Sequence, residues 1–144
     1  MKNEIDFSRL ELFAHELMGK AIDNDYIDWA IKELMAGNST LSINIIAGLQ
    51  PPYNSFEIAE YVKKAIKELN IEIHLDSIID EFVNELANRK LMGKIGSEEL
   101  IKEIDSILIY TNYDSKYNGW LNLVEFFDDY YVLGDNNLEN DIIE

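Results

Sequence analysis

Few residues in this chain have the type and spacing that chemistry demands. The histidines are His15 and His74, and there is no cysteine. A zinc or di-iron helix sets His three or four residues from a carboxylate, so that both project to one side. Leu12 and Ile71 stand three residues before the histidines, so no Glu-x-x-His motif forms. Glu11 and His15 lie one helical turn apart and read as a surface pair. His-Glu-x-x-His, a glycine-rich phosphate loop and a Gly-x-Ser-x-Gly elbow are all missing. The lack of thiols removes disulfides, thiolate metal sites and cysteine nucleophiles. Carboxylates are plentiful, but acid–base catalysis depends on geometry that a sequence does not give. The expectation is a protein that is not an enzyme, with no catalytic residue, no cofactor and no metal.

One segment, residues 114–125, invites a metal comparison. It has Asp114 first, Asn118 fifth, Gly119 sixth, Leu121 eighth and Glu125 twelfth, followed by Phe126. That order resembles an EF-hand calcium loop, which would imply oxygen ligands at positions one, three, five and twelve. Lys116 stands at the third position and puts a cation where an oxygen belongs. No second loop of this kind occurs, so calcium binding at cellular levels is not expected. The other reading is a turn at Tyr117-Asn118-Gly119 that leads into a helix.

Acid is the strongest signal. Asp and Glu number 28 against 12 Lys and Arg, a net charge of −16. Lys116 is the last basic residue, and Glu125, Asp128, Asp129, Asp135, Glu139, Asp141 and Glu144 follow it. Such a surface repels nucleic acid and anionic lipid and attracts basic proteins. The plain reading of any acidic cluster is a solvated face that keeps the protein soluble. The stretch from Trp120 to Asp135 goes further, because Glu125, Asp128, Asp129 and Asp135 interleave there with Trp120, Tyr130 and Tyr131. Rigid aromatic rings beside steering carboxylates suit recognition of a basic partner. A second candidate face carries Asp76 and Asp80, with Glu81 and Glu85 beyond.

The elements that must position these residues read as helices. Ser8-x-x-Glu11 has the form of a capping box, and Leu10, Phe13, Ala14, Leu17 and Met18 follow at helical spacing. A second helix runs from Asn24 or Asp25 to Gly37, and Ser39 or Thr40 caps a third that stops before Pro51-Pro52. Asn54 and Glu57 open a fourth, with Ala59, Val62, Ala65, Ile66 and Leu69 inward and Lys63, Lys64 and Lys67 outward. Ile71 to Leu75 alternates like a strand but has no second strand to pair with, and reads as a connector. Asp76 or Ser77 begins a fifth helix, Ser97 a sixth, and Trp120 to Val132 reads as a seventh. The expected fold is therefore all-α: a single-domain bundle or short helical-hairpin array of six to seven helices over 1–134, with an acidic tail at 135–144.

The string Ala-Ile-Lys-Glu-Leu occurs at 30–34 and again at 65–69. A period of 35 residues resembles tetratricopeptide-type helical hairpins. The small-residue and proline positions of that repeat do not recur, and ordinary helix formers account for the coincidence.

An acidic, cysteine-free helical chain of this size resembles, in general character, the immunity proteins of bacterial polymorphic toxin systems. That resemblance implies a protein that binds and neutralises a basic toxin domain, such as a nuclease. The alternative is a helical adaptor or regulatory domain that holds a peptide or partner helix. The expected partner is a basic protein, with no nucleic acid and no membrane. MKNEIDFSRLEL lacks a basic start followed by an apolar run, and Leu41–Leu49 is far shorter than a membrane span. The expected location is the cytoplasm.

Overall fold

A computed structural model describes residues 2–112 together with Asp114 and Lys116. Among them are six helices and no strand: α1 (Glu4–Leu17), α2 (Asp23–Met35), α3 (Leu41–Ala47), α4 (Ser55–Glu68), α5 (Ile78–Leu91) and α6 (Ser97–Tyr110). The all-α class is as the apolar periodicity requires. The expected seventh helix, the 114–125 loop as a whole and the 135–144 tail lie outside the described residues. No helix among the described residues is long and apolar enough to cross a membrane.

The helix boundaries have local causes. Asn3 caps α1, its Oδ1 accepting the Asp6 amide at 2.9 Å. Ser8, expected to be the cap, instead lies one turn inside the helix and is buried. Asn3 wins because Glu4 and Asp6 then fall in the first turn, where the helix dipole favours carboxylates. Asp25 accepts the Ile22 amide at 2.8 Å and fixes the start of α2. Thr40 and Asn54 cap α3 and α4 as the sequence proposed.

Four helices end alike. Amides of Lys20, Asn38, Ile71 and Lys94 reach back five residues to the carbonyls of His15, Glu33, Ile66 and Arg89. This closing bond needs a left-handed residue, supplied by Gly19, Gly37, Asn70 and Gly93 at φ of 73°, 87°, 53° and 71°. Asn70 can stand in for glycine because a short amide side chain tolerates that region.

The chain divides into two compact units, with the boundary inside α5. In the first, Lys2–Phe82, α1 packs on α2 and α3 packs on both α2 and α4. Its core holds Phe13, Trp29, Ala30, Ile43, Ile46, Ile58, Val62 and Ala65. Phe13 and Trp29 meet edge-on with centroids 5.9 Å apart. Phe7 stacks on Phe82 at 6.2 Å, and the His15 ring meets Phe82 edge-on at 5.5 Å. On α4 the inward residue of the first turn is Ile58, not Ala59, which is exposed. Ile58, Val62 and Ala65 keep the three- and four-residue spacing, and Ile58 buries a larger apolar side chain than Ala59 offers. In the unit that begins at Val83, the buried apolar side chains include Val83, Leu86, Leu100, Ile104, Ile107 and Leu108.

Candidate functional site

Two polar features stand out in the Lys2–Phe82 unit, and they do different work. The first is internal. Glu33 is fully buried on α2, and its carboxylate accepts four hydrogen bonds. Arg9 of α1 donates through Nε at 2.7 Å and Nη2 at 2.8 Å, a two-pronged pair. Trp29 Nε1 donates at 2.9 Å and Asn38 Nδ2 at 3.0 Å. A buried carboxylate is tolerated only when its lone pairs are filled in this way. The Glu33 bond and charge together raise the Arg9 pKa further above its usual value, against the opposing effect of burial. Four donors converge on Glu33, so the network fastens α1 to α2.

The second feature opens to solvent. A cleft of about 480 Å³ lies along α2 and α4, bordered by Glu16 at the end of α1. Its floor is apolar: Ile58, Val62 and Ile66 of α4, with Ala21 and Ala59 beside them. Its rim carries Glu16, Asp23, Tyr26, Ser55 and Lys63. Both Asp23 carboxylate oxygens accept from Ser55 Oγ at 3.0 Å, which ties the start of α2 to the start of α4. The Tyr26 hydroxyl is held well above its ordinary pKa, first by burial, then by the charge of Glu16 and its hydrogen bond to that carboxylate, and by Asp25 and Asp23. Burial disfavours charge of either sign there, while Glu16, Asp25 and Asp23 set a negative field around the Tyr26 hydroxyl. The Lys63 ammonium is drawn to Glu60 at 3.4 Å. Beside the mouth, Ile22 and Phe56 stand exposed, at 61% and 86%. They neighbour Asp23 and Ser55 in the chain, so the tie between those two residues brings them to one end of the cleft.

A smaller cleft of about 300 Å³ is lined by Lys2, Asp6, Arg9, Glu72, His74 and Glu81 among others. It mixes both signs of charge. His74 Nε2 lies 3.4 Å from Glu72 on an exposed connector, and His15 is half-buried at the edge of α1. Among the described residues, no three His, Asp or Glu side chains are grouped closely enough to hold a metal ion.

The sequence-derived recognition residues fare unevenly. Trp120, Glu125, Asp128, Asp129, Tyr130, Tyr131 and Asp135 lie outside the described residues. Asp76 is exposed but sits in the turn before α5, whereas Asp80 is half-buried in the first turn of the helix. They do not share a helix face, because α5 begins at Ile78, after Asp76. Glu85, expected on the same face, is buried. The Glu16–Asp23–Tyr26 rim was missed. Its signal was weak: Glu16 lies on α1, across the break at Gly19 from Asp23 and Tyr26 on α2, so no single helical pattern links all three.

No family model, curated protein or solved structure matches the chain.

Proposed function

We propose that this protein works by binding a basic protein partner, and that it neutralises that partner as the immunity proteins of polymorphic toxin systems do. The observation that carries the reading is where the acid goes. Among the described residues, the buried carboxylates are Glu33 and Glu85, and every other Asp and Glu reaches solvent. The excess of acid over base among the described residues is thus surface charge, able to act at a distance. A chain has no folding reason to carry it, because like charges repel in the compact state. A partner that grips phosphate must be positive, and a negative inhibitor gains association rate and register from that. The sequence places a contact region at Trp120–Asp135, and the cleft mouth adds a second negative surface. A helical adaptor is the other reading, favoured by the apolar floor of that cleft.

The test is chemical cross-linking in the native host, identification of the bound protein, and reconstitution from purified components. A basic partner whose association rate falls steeply between low and physiological salt, and whose activity is lost on binding, supports the proposal. A neutral or acidic partner, or binding indifferent to salt, refutes it and favours the adaptor.

A further inference from the structure

We propose that the cleft along α2 and α4 is a receptor for an arginine side chain presented by the partner. This inference rests on the reading that the partner is basic. Three independent features converge on it. The cleft volume of about 480 Å³ falls within the range of pockets that enclose a ligand group. Its floor of Ile58, Val62 and Ile66 offers apolar surface to a side-chain stem, while its rim offers Glu16 and Asp23 to a charged head. Arginine is a side chain built this way, with an apolar stem and a planar cation at its tip. Tyr26 also lines the cleft and brings an aromatic side chain to it.

The charge argument selects the sign of the guest. Glu16, Asp23 and Asp25 all act on the Tyr26 hydroxyl, so their fields overlap at the rim. The rim cation, Lys63, has its own carboxylate at Glu60. An anionic guest would be repelled by these carboxylates, and a neutral polar guest would gain weaker hydrogen bonds than a cation does. A guanidinium gains charge-assisted hydrogen bonds from carboxylates already in place. Ile22 and Phe56 are exposed and stand next in the chain to Asp23 and Ser55, so they offer apolar surface for the neighbours of the arginine in the partner chain. The preferred guest is therefore an arginine flanked by apolar residues, in contrast to an arginine in a polar run.

The probe is the peptide acetyl-Leu-Arg-Leu-amide, titrated into the full-length protein and followed by backbone amide NMR at low salt. Amides of Asp23, Tyr26, Ala59 and Val62 should shift, with displacements concentrated there over the other acidic surfaces. The same peptide with citrulline for arginine keeps shape and loses charge, and should bind about tenfold more weakly. Glu16→Gln with Asp23→Asn should cost a similar factor. Ala59→Trp tests the cavity without touching charge: Ala59 is exposed on the cleft wall, so the fold is retained and the space is filled. It should abolish the localised shifts.

Equal binding of the citrulline peptide would overturn the inference. So would shifts spread evenly over α1, α2 and α6, or indifference to Ala59→Trp. The two levels separate cleanly. If the reconstituted partner binds with steep salt dependence but ignores Ala59→Trp, the arginine receptor fails and the wider reading stands. If the peptide seats in the cleft while partner binding ignores salt, the wider reading fails, and the cleft binds arginine but not as the contact of a basic partner.

Discussion

Replacing Glu33 with alanine should be the most destabilising single change to a polar residue in the Lys2–Phe82 unit. The carboxylate is fully buried and accepts from Arg9 twice, at 2.7 and 2.8 Å, from Trp29 at 2.9 Å and from Asn38 at 3.0 Å. Breaking a buried ion pair from one side costs about 3–5 kcal/mol. The Trp29 indole N–H, left without an acceptor in the interior, adds about 1–3 kcal/mol. These costs overlap, because Arg9 is partly exposed, at 22%, and can turn toward water. A net loss of about 4 kcal/mol follows, set against a total of about 5–15 kcal/mol for a typical domain. Glu33→Gln keeps the volume and one acceptor oxygen but turns an amide N–H₂ toward the donors, and should lose about 2–3 kcal/mol. Urea unfolding followed by far-ultraviolet circular dichroism and tryptophan fluorescence measures both. A loss below about 1 kcal/mol for Glu33→Ala, with an unchanged denaturant slope, would refute the claim that this network fastens α1 to α2.

Two further outcomes follow from local geometry. Gly37→Ala should destabilise by about 1–2 kcal/mol, because φ is 87° and no atom lies within 4 Å of an added Cβ, leaving backbone strain as the cause; Gly37→Asn should lose less in the same urea assay. Tyr26 has a raised pKa in the folded state, so its contribution is fully present below the unfolded value of about 10 and is lost as pH rises through the folded one. Stability should therefore fall between about pH 10 and 12, and Tyr26→Phe should flatten that decline; equal slopes for both proteins in denaturant titrations across this range would count against the negative cleft mouth.

Much of the fold was written in local pattern. Three- and four-residue apolar spacing marked five of the six described helices, the cap at Ser39 or Thr40 and the stop at Pro51-Pro52 marked α3, and Gly19, Gly37 and Gly93 fall at three of the ends. Thr40 and Asn54 were readable as caps because their side chains bond to amides two or three residues on. Where two local solutions compete, pattern misleads. Asn3 and Ser8 both precede apolar periodicity, and Ser8 even has Glu11 in the capping-box place. A Ser8 start would leave Phe7 outside the helix that presents it to Phe82, a residue 75 positions away in sequence. The choice of Ile58 over Ala59 likewise depends on what α4 packs against.

The repeated string shows what the sequence determined and what it could not. At 30–34 all five residues are helical within α2, and at 65–69 the first four close α4 with Leu69 as its C-cap; Ala30 and Ala65 are both fully buried. Local propensity and apolar spacing suffice for that, since they act within a turn or two of the chain. The two glutamates share the sequence context and part company. Glu33 is enclosed because α1 brings Arg9 across 24 residues to neutralise it. Glu68 stays exposed and accepts from the Ser42 hydroxyl at 2.7 Å and amide at 3.1 Å, at the start of α3, which holds its pKa below the usual carboxylate range. The acidic balance of the chain is a property of composition. Which carboxylate becomes interior, which caps a helix and which two border a cleft depends on where distant cations, hydroxyls and amides come to rest, and packing alone decides that.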